Sequence, residues 1–266
     1  MDRQIKLHFL GSGTIMPDPR RSCSAAILET PQARILVDIG AGTLRRMAIE
    51  GIDLHSIDYI FITHFHPDHS GDLAPFLFAL RNSRPARAGR LLQVWGPAGF
   101  FRFVQGLEQA FGKWLQFSHE VKYHELRRRL LDFPGFRLIW SKVQHAPESV
   151  AYRFEIENRA VVFSGDTGYC PEIIRLCKKA DLAVLECSYP DELVVQGHLS
   201  PSLAGKIAAE AGIKKLLLNH FYPDVLKTTP VEIAQKYFGG EIRIANDGDT
   251  FTIPLEQEQA DKGVDG

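Results

Sequence analysis

The sequence predicts an α/β chain in which two packed β-sheets carry helices on their outer faces. Three observations predict it. Strand-like runs outnumber helical ones, they come in meander-like blocks with helices interspersed, and the second half of the chain repeats the theme of the first.

Residues 5–10, 25–29 and 34–37 are β-branched or alternating runs punctuated by Gly and Pro, the pattern of strands. Residues 41–49 read as a helix, and 59–62 as a buried strand that leads into a histidine cluster. A helix over 73–80, a strand over 91–94 and an aromatic-faced helix over 99–111 follow. In the second half the pattern predicts strands over 137–143, 151–156 and 160–163, a helix over 171–178 and a strand over 182–185. Ser200 stands where an N-cap would open a helix over 202–211. Short strands over 216–218 and 242–244 enclose a helix over 231–237. No Ser- or Pro-rich linker divides the chain, so residues 1–254 read as a single domain. Residues 255–266, charged and short of large apolar side chains, read as a frayed, disordered tail. In such a fold, ligand groups belong on the loops at strand ends, where a rigid scaffold aims them.

The bulk numbers bound the function only loosely. The 266 residues are 45% hydrophobic and 24% charged, with a formal net charge of −1, so any contact with a polyanion must rest on a local patch. The N-terminus lacks an apolar core of signal-peptide length, and no run approaches the roughly 20 apolar residues that span a bilayer. Cys23, Cys170, Cys177 and Cys187 have no Cys-x-x-Cys spacing. They read as reduced thiols, which makes the cytoplasm the expected compartment, with no membrane partner.

The strongest feature is Thr63-His64-Phe65-His66-Pro67-Asp68-His69, which puts four ligand-type side chains into six residues after an apolar strand. His64 and His66 alternate in an extended segment and so point to the same side. A turn at Pro67 lets Asp68 and His69 aim at a neighbouring point. A core has little use for such a cluster, because each buried imidazole needs a partner. Nitrogen and oxygen donors in this density suit zinc.

This segment resembles the His-x-His-x-Asp-His signature of the metallo-β-lactamase superfamily, and the resemblance continues in order along the chain. Asp38 in Leu36-Val37-Asp38-Ile39-Gly40 resembles the early aspartate that supports the metal loop. His145 follows a strand, Asp166 sits in Ser164-Gly165-Asp166-Thr167-Gly168, and His220 closes the set in Leu218-Asn219-His220-Phe221. The resemblance implies a four-layer αββα sandwich of two mixed sheets and two divalent metal ions. Zinc is the expected metal, with manganese and iron as alternatives. His64, His66 and His145 would give one ion three neutral imidazoles. Asp68, His69 and His220 would hold the second, and Asp166 would bridge the two beside a shared hydroxide. Two cations about 3.5–4 Å apart lower the pKa of bound water towards neutrality. An aspartate at position 166, where antibiotic-degrading relatives often carry a thiolate, points away from β-lactam cleavage. His8, His55, His119 and His124 have no place in the motif order and read as packing or surface residues.

Two further motifs narrow the resemblance to the ribonuclease Z and phosphodiesterase branch: Leu185-Glu186-Cys187-Ser188 and Gly197-His198-Leu199-Ser200-Pro201. They are similar to the extra Glu and His pair of that branch, which lactonases and thioesterases lack. The implied catalytic residues are Asp68, His198 and Glu186. His198 would protonate the leaving oxygen, Glu186 would fix its tautomer, and Asp68 would orient the hydroxide. One departure matters. Ribonuclease Z would carry a protruding arm for transfer RNA in the second half, yet only residues 146–165 separate His145 from Asp166. The basic runs at 81–90 and 127–129 read as solvated faces that could touch phosphates. The expected activity is therefore phosphodiester hydrolysis on a small molecule or a short RNA end. The alternatives are transfer RNA 3′-processing proper, or lactone or thioester hydrolysis. A homodimer is what the family resemblance implies for assembly.

Overall fold

The computed structural model describes residues 3–83, 91–116, 120–193 and 195–255. In Gln4–Gly11 (β1) the side chains of Ile5, Leu7 and Phe9 are buried while Gln4, Lys6 and His8 between them are only partly covered. That alternation is the mark of a strand with one face on a core. β1 pairs antiparallel with Ala25–Glu29 (β2), and β2 with Arg34–Val37 (β3). After the helix Thr43–Ile49 (α1) the chain switches to parallel pairing. Tyr59–Phe61 (β4), Leu92–Gly96 (β5) and Val121–Glu125 (β6) join in turn. The one-turn helix Pro67–Ser70 (α2) and the helices Leu73–Asn82 (α3) and Phe100–Phe111 (α4) lie between them.

The second half repeats this plan. Leu130–Phe133 (β7), Phe136–Lys142 (β8), Val150–Ile156 (β9) and Arg159–Phe163 (β10) form an antiparallel meander. Pro171–Cys177 (α5) then leads to the parallel strand Leu182–Glu186 (β11). Pro201–Ala211 (α6) leads to Lys215–Asn219 (β12), and Pro230–Gln235 (α7) to Glu241–Ile244 (β13). Thr250–Pro254 (β14) returns to the first sheet beside β1. The result is two mixed seven-stranded sheets, ordered β14-β1-β2-β3-β4-β5-β6 and β13-β12-β11-β10-β9-β8-β7. β11 is buried at every position, as a parallel strand covered on both faces must be.

Three apolar clusters define the layers. One, with Phe9, Phe61, Tyr152 and Phe154, lies between the sheets. A second packs α1, α3 and α4 on the outer face of the first sheet, and a third packs α5, α6 and α7 on the second. This is the expected αββα sandwich. Among the described residues no helix is long and apolar enough to cross a membrane.

The structure adds strands that the periodicity did not reveal: β6, β7 and β14. β7 and β8 join through Pro134 and Gly135, a turn signal between apolar residues, with Phe133 opposite Phe136. Ser200 stands at the N-cap of α6, but its side chain makes no capping bond. Asp191 does that work instead, its Oδ1 accepting the Ser202 N–H at 3.1 Å. Leu255, placed in the tail by its sequence, is buried, and its N–H bonds to the Arg3 carbonyl. The rest of the tail, 256–266, lies outside the described residues, as do 84–90 of the first basic run. Arg127, Arg128 and Arg129 are exposed. Residues 146–165 are used by a turn, β9 and β10.

Candidate metal centre

Both sheets deliver their chemistry at the carboxyl ends of strands, beyond which ligands bind in open α/β sheets. Asp38 follows β3, and Thr63 and His64 follow β4. Asp166 follows β10, Glu186 ends β11, and His220 follows β12. The second sheet clamps the histidine loop of the first. The Val150 N–H donates to the Thr63 carbonyl at 3.1 Å, and the buried Tyr152 hydroxyl donates to the Ile62 carbonyl at 2.6 Å. Pro67 starts α2 at a position where its missing N–H costs nothing. The turn then docks on the end of β3, the Ile39 N–H donating to the His69 carbonyl at 2.8 Å. Only glycine fits at position 40, where a Cβ would stand 2.1 Å from the Asp68 carbonyl oxygen.

Asp38, Glu186, His198 and the seven expected ligands all converge on this rim, and the seven fall into two groups. His64 Nε2 and His145 Nε2 each lie 3.1 Å from His66 Nδ1. His69 Nε2 lies 3.0 Å from His220 Nε2, which is 3.4 Å from Asp68 Oδ2. Asp166 stands between the groups. Its Oδ1 is 3.2 Å from His69 Nε2 and 3.4 Å from His220 Nε2. Its Oδ2 is 3.7 Å from His145 Nε2 and 3.9 Å from His64 Nε2. Within each group the donor atoms lie no more than 4.8 Å apart.

Four of the imidazoles, those of His64, His69, His145 and His220, are fixed through their other nitrogen. Asp38 Oδ2 accepts from His69 Nδ1–H at 2.7 Å and from the Thr63 hydroxyl at 3.0 Å, while Oδ1 accepts the Thr63 N–H at 2.8 Å. With its proton on Asp38, the Thr63 hydroxyl is left to accept from His64 Nδ1–H at 3.0 Å. His145 Nδ1–H donates to the Gly197 carbonyl at 3.0 Å. Gly197 has φ +85°, and a Cβ there would press on the His145 ring. The Ser188 hydroxyl donates to Glu186 and accepts from His220 Nδ1–H at 3.0 Å. Asp38 and His220 both hold positive φ, of 58° and 60°, so the rim carries backbone strain at two of its site residues.

These bonds decide where the lone pairs point. With Nδ1–H engaged, His69 and His220 each turn a bare Nε2 towards the other, and His64 and His145 do the same around His66. Such facing lone pairs fit a shared cation. Donors about 2.0–2.1 Å from one tetrahedral ion are separated by about 3.3 Å, close to the spacings here. The buried Asp166 Oδ1 also has no well-directed hydrogen bond. The residues present therefore fit metal ions.

The electrostatics agree for His64 and His145. Burial, then the neighbouring imidazoles, holds the His64 pKa well below its ordinary value, and burial lowers that of His145, which leaves both neutral. For His69 burial acts the same way, but the charges of Asp166 and Asp38 outweigh it and raise the pKa well above normal. Burial would raise Asp68 and Asp166, yet the surrounding imidazoles hold both carboxyls below the usual range. His198 is also raised, since the hydrogen bond and charge of Glu186, with Asp166 behind it, exceed the effect of burial.

The His198 ring stands between the His145 ring, 4.7 Å away, and that of Tyr189, 5.4 Å away. Its Nδ1 lies 3.1 and 3.2 Å from the two Glu186 oxygens. Glu186 is buried and also accepts the Thr167 N–H at 2.6 Å and the Leu199 N–H at 3.1 Å.

Residues 33–221 match the family model of the β-lactamase superfamily domain. The chain belongs to the metallo-β-lactamase superfamily. As a superfamily member it is a metal-dependent hydrolase, and its curated relatives include proteins named ribonuclease Z. It is 27% identical to ribonuclease Z of Mycobacterium marinum over 269 residues, covering 91% of this chain and 96% of that protein. The metallo-β-lactamase fold protein YhfI from Bacillus subtilis superposes with a TM-score of 0.83 at 23% identity, covering 94% of this chain and all of that one. The short form of human tRNase Z gives a TM-score of 0.76 at 23% identity, with 94% and 100% covered. At that identity the two structures establish the shared fold.

Sequence reasoning missed the hydroxyls of Thr63 and Ser188, whose partners lie 25 and 32 residues away in the chain. A hydroxyl residue flanking each ligand segment was the one available signal. Three of the four other histidines lie elsewhere. His8 bonds to Thr250, His55 to Ser83, and His124 stacks on Trp95. His119 lies outside the described residues. All four cysteines are free and buried, and burial pushes Cys177 up to about 12.

Proposed function

We propose that this superfamily member hydrolyses phosphodiesters with two divalent ions, zinc in the first instance. His64, His66 and His145 would hold one ion and Asp68, His69 and His220 the other, with Asp166 within reach of both groups. The observation that carries the phosphodiester reading is His198. Its Nδ1 is tied to a buried carboxylate, and its Nε2 makes no hydrogen bond among the described residues, at the edge of the donor cluster. When bound, the ions stabilise charge on the phosphoryl oxygens and bring water towards ionisation at neutral pH. Asp68, fixed by the Ile15 N–H at 3.2 Å, orients the attacking water. Glu186 accepts from His198 Nδ1–H and favours the imidazolium, whose Nε2–H delivers a proton to the departing alkoxide. Lactone and thioester hydrolysis would leave this pair without a task.

A second reading, transfer RNA 3′-processing, draws support from relatives named ribonuclease Z that match over almost their whole length. Against it, residues 146–165 build two strands and no arm, so a small diester or a short RNA end is the substrate we favour. A cytoplasmic homodimer is the accompanying proposal for location and assembly. A parallel assay tests the reading. Bis(p-nitrophenyl) phosphate should be cleaved faster than a lactone, a thioester or nitrocefin, and metal analysis should find about two ions per chain. Fast lactone or thioester turnover without diesterase activity overturns it. Clean 3′ cleavage of a precursor transfer RNA, weakening steeply with salt, would favour the second reading.

A further inference from the structure

Beside His198, on the side of Tyr189, lies a cavity of about 160 Å³. Substrate-sized pockets run from about 300 Å³ upwards, whereas a cavity of about 150 Å³ takes one benzene-sized ring. The space therefore suits one part of a substrate. Tyr189, Leu193, Val195, Leu199 and Leu203 make its walls apolar. Ser200, Ser202 and Asp191 add the polar groups, and among the described residues no Lys or Arg lines it. One Asp191 oxygen accepts the Ser202 N–H at the start of α6, which keeps the carboxylate fixed at the wall. His198 brings no net charge to balance it, because its Nδ1 is already paired with Glu186. An apolar chamber with hydroxyls, a fixed anion and no free cation rejects phosphate and accepts a neutral group that can donate hydrogen bonds.

We propose that this cavity is the leaving-group subsite, and that it takes one uncharged, ring-sized alcohol and excludes an alcohol carrying a second phosphate. The inference rests on the phosphodiesterase reading above. In the step concerned, the oxygen of water bonds to phosphorus as the bond from phosphorus to the alcohol oxygen breaks, and the proton lost by the water passes to solvent, from which His198 is later reprotonated. The electron pair of that bond stays on the alcohol oxygen, which takes its proton from His198 Nε2. The alcohol is then released from the cavity.

The test compares the benzyl, methyl and 2-phosphoethyl esters of thymidine 5′-monophosphate on the metal-loaded enzyme, following release of the nucleotide. Benzyl and methyl alcohols are of nearly equal acidity, so the comparison isolates size. The benzyl ester should exceed the methyl ester in kcat/KM by about 10–100-fold, the range expected for burying one ring. Val195→Trp, which fills the cavity from a surface loop, should bring that ratio close to one. Asp191→Asn keeps the oxygen that caps α6 and removes the charge, so it should raise kcat/KM for the 2-phosphoethyl ester relative to the benzyl ester. Binding of free benzyl alcohol, followed by saturation-transfer NMR, should be present in the wild type and lost in Val195→Trp. A benzyl-to-methyl ratio near one in the wild type, or unchanged in Val195→Trp, overturns the subsite and leaves the phosphodiesterase reading standing. Failure to cleave any of the three esters, with benzyl alcohol still bound, overturns both.

Discussion

The two halves of the sandwich hold their imidazoles with the same device and put it to different ends. In the first half Asp38 grips His69 directly and His64 through the Thr63 hydroxyl. In the second half Glu186 grips His198 directly and His220 through the Ser188 hydroxyl. Both carboxylates are buried at the carboxyl end of a strand near the switch from antiparallel to parallel pairing. In the first half both imidazoles are themselves buried, and both turn a lone pair into the donor cluster. In the second half His220 does so, while a His198 nitrogen lies within 4.8 Å of the Asp166 and His220 donor atoms but its Nδ1 is bonded to Glu186. His198 is 11% exposed at its side chain, and the nitrogen nearest Asp166 is the one already taken by Glu186. On the proposed reading, one carboxylate would serve two metal donors, and the other one donor and one proton carrier.

The largest effects should come from breaking the contrast between the two kinds of imidazole. His198→Ala should keep both ions, yet lose about 10²–10⁴-fold in turnover on alkyl diesters, whose leaving groups need a proton. The loss should shrink for p-nitrophenolate, which departs unaided. Asp166→Ala should instead lose ions and activity together, for every substrate. Elemental analysis beside a leaving-group series checks this, and His198→Ala stripping an ion would make His198 a ligand. Intermediate effects should follow from the carboxylates. Asp38→Asn should cost about 10–100-fold in metal affinity. Glu186→Gln should leave the His64, His66 and His145 group intact and act chiefly on the leaving-group dependence. It is not a silent isostere, because one amide oxygen cannot replace both carboxylate oxygens for Ser188, Leu199, Thr167 and His198. Equal loss of metal in the two variants would erase the distinction between the halves.

Much of this site is legible in the sequence, for physical reasons. Four donors within 64–69 have no use in a core, so they announce a ligand on their own. His145, Asp166 and His220 stand singly, each shortly after a strand, and only their order in a family pattern raises them above ordinary packing. Most strands are visible because they alternate or are wholly apolar. β7 and β14 escape because they are short edge strands with exposed residues between their apolar ones. Ser200 shows the limit at the level of single bonds. Its position at the helix start is correct, but Asp191, brought in by the preceding loop, takes the bond that local sequence assigns to Ser200.

The smallest effects should come from the two hydroxyls, and they sharpen the comparison most. Thr63→Val keeps the shape of the side chain and removes only the relay between Asp38 and His64. Ser188→Ala removes the relay between Glu186 and His220. Each leaves a buried imidazole N–H without its acceptor, a loss of about 1–3 kcal/mol where no water can enter. Each should also weaken one ion by about tenfold, the lower end for a lost supporting bond. The ions affected should differ. Thr63→Val should loosen the group of His64, His66 and His145, and Ser188→Ala that of Asp68, His69 and His220. Stepwise calorimetric titration of the metal-free protein with zinc resolves the two events. Ser188→Ala should also leave the preference between good and poor leaving groups close to that of the wild type, because Glu186 keeps its direct hold on His198. If both variants weaken the same step, the hydroxyls do not act on separate ions. If Ser188→Ala flattens or steepens the leaving-group series as much as Glu186→Gln does, then Glu186 cannot hold His198 without the serine, and the second relay is one unit.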